Sequence, residues 1–201
     1  MMRVKWFDAV VAGAILFGLA ALSSKAELVT MWSDGFESGD FSAWTAVDGN
    51  WQVITSEQSA HSGLRGADIT GSTAPGGDTL LLQISSVGYQ NLEFEYWFKV
   101  RAALEADDQV LVQWTGDGVE WEILAAYTSQ PVGVWQFAIF GLPEAADDNS
   151  DLGFRLWADL TSGSDRMNFD DFVLRGQIIP EPATLGLLTL VMLAGVRRRP
   201  E

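Results

Sequence analysis

Eight of the nine tryptophans in this chain lie beyond residue 26. Flat indoles bring a large apolar area at low entropy cost and stack well on sugar rings. Between Leu92 and Arg101, Trp97 alternates in phase with Glu93, Glu95, Lys99 and Arg101, so it belongs to a polar strand face. Trp157 alternates in the same way with Arg155 and Asp159. If Trp97, Arg155 and Trp157 share one exposed sheet face they form a sugar platform; the alternative is a second layer of aromatics buried under a long loop. Trp121 is in phase with Val119 and Ile123 and reads as core, while Trp44 and Trp51 read as packing residues.

Catalytic patterns find little support. His61 is the only histidine; it sits in a Ser/Gly-rich stretch with no Gly-x-Ser-x-Gly turn, and reads as an exposed loop residue. Glu93 and Glu95 share a strand face like a glycosidase pair, but 27 acids make chance pairs common. The acidic stretch Asp147-Asp148-Asn149-Ser150-Asp151 lacks the spacing of a calcium loop of the EF-hand type and reads as a turn. No phosphate-cradling glycine loop and no basic stripe appears. The expectation is a protein that is not an enzyme.

Strands must position these residues. Leu92–Arg101 alternates apolar and polar for ten residues. Gln109–Trp114 and Val119–Ala125 flank Thr115-Gly116-Asp117-Gly118, a hairpin signal. Thr79–Ser85, Val134–Gly141, Leu152–Ala158 and Met167–Arg175 are further strands, and Asp34–Phe36 and Gly49–Ser56 read as strands near the start. Ser59–Asp78 reads as the longest loop. With no helical period between the chain ends and no βαβ alternation, the pattern predicts an all-β antiparallel β-sandwich.

The two ends differ from the body. Arg3 and Lys5, the apolar run Ala9–Leu22 and Ser24-Lys25-Ala26 have the three parts of a secretory signal peptide over residues 1–26; an uncleaved anchor is the weaker alternative. At the other end Pro180-Glu181-Pro182 precedes fourteen residues, Ala183–Val196, that are largely apolar, and then Arg197-Arg198-Arg199. At 1.5 Å per residue that run spans about 21 Å, short of the ~30 Å hydrocarbon core. The arginines would stay cytoplasmic, with the bulk of the chain outside. This arrangement over residues 180–201 resembles the PEP-CTERM sorting signal. The resemblance implies a membrane-anchored precursor exported across the inner membrane, held there transiently, and processed by an exosortase-type enzyme toward the cell surface or extracellular matrix. A plain C-terminal anchor is the alternative.

The body, residues 27–179, holds 24 of the acids and only six bases, a formal charge of −18. Such a domain repels nucleic acid and anionic membranes. Without cysteine it has no disulfide, so packing, helped by a metal if one binds, must stabilise it. The opening Asp34-Gly35-Phe36-Glu37-Ser38-Gly39 with Trp44 and Trp51, the stretch Gly116-Asp117-Gly118-Val119-Glu120-Trp121, and the closing Phe169-Asp170-Asp171-Phe172 are similar to jelly-roll modules related to MAM domains, cleaved-adhesin domains and carbohydrate-binding modules. The chain departs from MAM domains in having no cysteine. The resemblance implies a jelly roll with adjacent first and last strands whose acids Asp34, Glu37, Asp170 and Asp171 hold a structural Ca2+. Oxygen-rich carboxylates suit that ion. Strand alternation would put Asp170 and Asp171 on opposite faces, leaving one inward. The alternative makes all four ordinary surface and turn residues.

The function these features suggest is a non-enzymatic exported protein that binds exopolysaccharide and is associated with biofilm. A protein–protein adhesion module without sugar affinity is the alternative, and a glycan-active hydrolase a third.

Overall fold

The computed structural model describes residues 27–71, 77–102, 104–128 and 130–180. The N-terminal signal region, Glu181, Pro182, the apolar tail and Arg197, Arg198 and Arg199 lie outside the described residues. Among the described residues no helix is long and apolar enough to cross a membrane.

Eleven strands form among the described residues: β1 (Leu28–Asp34), β2 (Ala46–Asp48), β3 (Trp51–Thr55), β4 (Arg65–Thr70), β5 (Asp78–Ile84), β6 (Tyr89–Val100), β7 (Gln109–Thr115), β8 (Glu122–Tyr127), β9 (Gln136–Gly141), β10 (Leu152–Asp159) and β11 (Arg166–Ile178). They build two antiparallel sheets. The first runs β3-β4-β11-β6-β9, with β1 also on β11; the second runs β2-β5-β10-β7-β8. The all-β sandwich is as expected. First and last strands do lie side by side, Asp34 opposite Phe172.

Period-2 alternation makes the layers. β6 turns Leu92, Phe94, Tyr96, Phe98 and Val100 inward, and β10 answers with Leu152, Phe154, Leu156 and Ala158. Phe94 and Phe154 stack across the gap at 4.2 Å. Burying each such ring contributes roughly 1.5–3 kcal/mol. One polar contact also joins the layers: Tyr96 Oη and Tyr127 Oη are 2.7 Å apart and buried. Burial pushes the Tyr127 hydroxyl up to about 12. Tyr96→Phe strands that hydroxyl, and a loss of roughly 1–3 kcal/mol is expected in urea unfolding. An unchanged midpoint would mean the contact adds nothing.

Four sequence expectations are corrected. The loop predicted at Ser59–Asp78 contains β4, an interior strand between β3 and β11. Gly66, Ala67 and Asp68 resemble loop residues, yet all are buried. At the opening, the strand runs from Leu28 and ends at Asp34, and Phe36 sits in a turn with φ +57°. Val134–Gly141 forms a strand only from Gln136. The strand expected at Val119 starts at Glu122, because a longer turn intervenes. There Asp117 Oδ1 accepts the N–H groups of Val119 and Glu120, and Gly118 takes φ +72°.

Candidate functional site

The two sheets present two different outer faces, and the predicted platform is divided between them. Trp97 lies on β6 of the first sheet, while Arg155 and Trp157 lie on β10 of the second. Since β6 and β10 both turn their alternate residues into the shared core, Trp97 faces outward on the opposite side of the sandwich from Arg155 and Trp157. The three do not form one surface.

On the second sheet, however, a different platform is present. Arg155 Nε donates to Gln113 Oε1 at 2.7 Å, and its guanidinium lies over the Trp121 ring, 4.3 Å from the centroid. Trp121, expected in the core, is therefore a surface partner of Arg155. A bulge in the β7–β8 pairing at Val112/Gln113 turns the strand, leaving Ile123 58% and Val119 77% exposed. Two glycines make room. A Cβ at Gly153 would press on Thr115 Cγ2 at 2.9 Å and meet Trp121 at 3.5 Å, and one at Gly77 would overlap the Trp157 indole nitrogen. Trp157 itself sits between Thr79 on β5 and Leu111 on β7. Burial lowers the pKa of Arg155, which has no carboxylate partner among the described residues. At one end of this face opens a cavity of ≈ 290 Å³ lined by Gln83, Ser85, Asp117, Ser150 and Asp151 among others. Gln83 is opposite Gly153, so cavity and face are continuous. Half-buried indoles, a guanidinium held by neutral partners and a polar cavity together can receive a polyhydroxylated chain.

On the first sheet, the loop after β3 folds over the outer face. His61, read as an isolated loop residue, instead stacks on Trp97 at 3.8 Å and meets Trp135 edge-on at 5.5 Å. Its Nδ1 pairs with Asp171 Oδ2 at 2.7 Å. Nothing local in the sequence signals this, because Asp171 is 110 residues away.

Three of the four acids expected to bind calcium converge on this same loop. Asp170 Oδ2 accepts the N–H groups of His61 and Ser62, at 2.7 and 3.1 Å. Asp171 Oδ1 accepts from Ser62 Oγ at 2.7 Å. Glu37 Oε1 accepts from the N–H groups of Leu64 and Arg65, which lower its pKa. Asp34 is spent elsewhere, on Trp44 Nε1 and the Phe36 N–H. Contrary to simple alternation, Asp170 and Asp171 both reach the loop, since β11 bulges there and Asp171 adopts φ +50°.

Asp170 is fully buried with no cationic partner among the described residues; burial, with the Asp171 charge adding to it, pushes its pKa up to about 6. Hard carboxylate oxygens beside Gly35, 3.4 and 3.7 Å from a Cβ built there, suit a dication. Among the described residues no three His, Cys, Asp or Glu side chains are yet grouped to hold a metal. Of the four expected ligands, Asp170 and Asp171 lie side by side, and their oxygens are already paired with His61, Ser62 and the Asp171 N–H.

No protein-family model matches the chain, and no curated protein does. Solved structures do. A family 61 carbohydrate-binding module in complex with β-1,4-galactotriose superposes with a TM-score of 0.54 at 15% identity, covering 70% of this chain and 93% of its own. The K2 cleaved-adhesin domain of Lys-gingipain gives 0.54 at 17%, covering 73% and 99%. The C-terminal family 22 carbohydrate-binding module of Clostridium thermocellum Xyn10B gives 0.52 at 15%, covering 76% and 96%. The chain therefore shares the β-sandwich fold of carbohydrate-binding modules and cleaved-adhesin domains.

Proposed function

We propose that this is a non-enzymatic exported protein whose second-sheet face binds polysaccharide. The observation that carries the proposal is Arg155, held without a carboxylate between Gln113 and Trp121 and next to Trp157. The sandwich fold shared with sugar-binding modules supports it; the identities are too low to transfer a particular glycan. Affinity electrophoresis of the protein through gels containing neutral polysaccharides tests it: retardation is expected, and free migration in every gel contradicts it.

The tail carries the second half of the proposal. Pro180-Glu181-Pro182, the short apolar run and three arginines support processing by an exosortase-type enzyme at the inner membrane, with delivery to the surface or matrix in an exopolysaccharide setting. Replacing those three motif residues by alanine is expected to trap a larger membrane-bound precursor. Unchanged processing removes the sorting proposal.

One observation favours the protein-adhesion alternative. Val132, Val134, Phe137 and Ile139, on and before edge strand β9, are all about half exposed, at 48–55%. A protein that self-associates or captures protein, yet ignores every glycan, would decide for that reading.

A further inference from the structure

In a domain with only six bases, Lys99 and Arg101 stand side by side on the first-sheet outer face, and neither makes an ion pair among the described residues. Lys99 is 7% exposed; burial and the Arg101 charge lower its pKa. Its ammonium donates to the Gln58 carbonyl and lies 4.4 Å from the Trp135 ring centroid. The Arg101 guanidinium donates to Ser59 Oγ at 3.2 Å and Gln58 Oε1 at 3.1 Å. Two adjacent cations, one almost wholly desolvated and satisfied only by neutral oxygens and an indole face, leave an uncompensated positive charge. Gln58 is exposed, and its amide oxygen already sits where an anionic oxygen would bridge to Arg101. Half-buried Trp135 borders the spot with apolar ring surface.

We propose that Lys99, Arg101 and the bordering Trp135 form an anion subsite for the carboxylate of a uronic-acid-bearing polysaccharide. The carboxylate displaces the Gln58 side chain from Arg101 and gains a charge-assisted contact in its place. This site is on the opposite face from Arg155 and Trp157, so it does not depend on the proposed sugar face. The remaining acids repel a polyanion at low ionic strength. At 0.15 M salt the Debye length is ~8 Å, which screens distant acids and spares a direct contact.

Affinity electrophoresis of the protein at that salt, with EDTA to prevent calcium bridging, compares polygalacturonate with the same polymer fully methyl-esterified. Retardation by the acid form and not by the ester is expected. Arg101→Gln should weaken it about tenfold, the range of one charge-assisted hydrogen bond. Gln58→Glu, at an exposed position, fills the subsite with the chain's own carboxylate and should abolish retardation even if Arg101→Gln does not fold. Equal retardation by both polymers, none by either, or wild-type behaviour of Gln58→Glu overturns the proposal.

Discussion

Trp157→Ala is expected to reduce affinity for a bound neutral polysaccharide by about 100-fold, and Arg155→Gln by about tenfold, with the fold intact in both. A stacked indole removed from a sugar site leaves the ring face in water, and anchors of this kind carry about 2 kcal/mol or more. Trp157 is half-buried on the outer face, and the inward neighbours Leu156 and Ala158 carry the packing, so truncation should spare the core. Arg155 contributes a directed donor, and replacing it also frees Trp121, which rests beneath its guanidinium. Isothermal titration calorimetry of both variants, with circular dichroism to confirm folding, gives the answer. Folded variants with wild-type affinity would falsify the assignment of this face.

A second large effect is expected at Asp170. Its folded pKa of about 6 lies above the unfolded value near 3.9. Between those values the folded state binds more protons than the unfolded state, so this group's contribution falls as pH rises from about 4 to about 6. The loss is at most about 3 kcal/mol, and smaller to the extent that water reaches the loop. Asp170→Asn should flatten that part of the profile. Its absolute stability is a poorer readout, because the amide cannot accept from both the His61/Ser62 side and the Asp171 N–H. We propose that Ca2+ at Asp170 and Asp171 offsets the buried charge. Melting at pH 4–7 in EDTA should show the falling profile in the wild type only; added calcium should raise the pH 7 melting temperature and remove the fall. Parallel profiles for wild type and Asp170→Asn contradict the linkage, and indifference to calcium removes the metal.

These two sites differ in how far the sequence exposes them. Strict alternation in β6 and β10 told core-facing residues from the rest, so Trp97, Arg155 and Trp157 were placed on outer sheet faces, Trp97 lying beneath the His61 loop as the alternative reading had it. Alternation is silent on which sheet a strand joins, so it merged two opposite faces into one platform. Trp121 was misread because one bulged residue in the β7–β8 pairing reverses the phase of everything before it. In β4, Gly66 and Asp68 look like turn chemistry, yet Asp68 is buried to bind Arg166 and Asn168 from a strand about 100 residues later. His61 likewise takes its meaning from Trp97 and Asp171, which only the folded chain brings near. The first and last strands were correctly expected to lie side by side, but their acids turn to separate partners. Their loop contacts were not legible, since the bulge at Asp171 leaves no local sequence mark.

The most direct test of the central claim is oxidative footprinting of the tryptophans, read by mass spectrometry, with and without a bound neutral polysaccharide. Protection of Trp121 and Trp157, with Trp97 and Trp135 unchanged, is the predicted result. Protection of Trp97 and Trp135 alone would place the sugar on the opposite sheet and contradict the account.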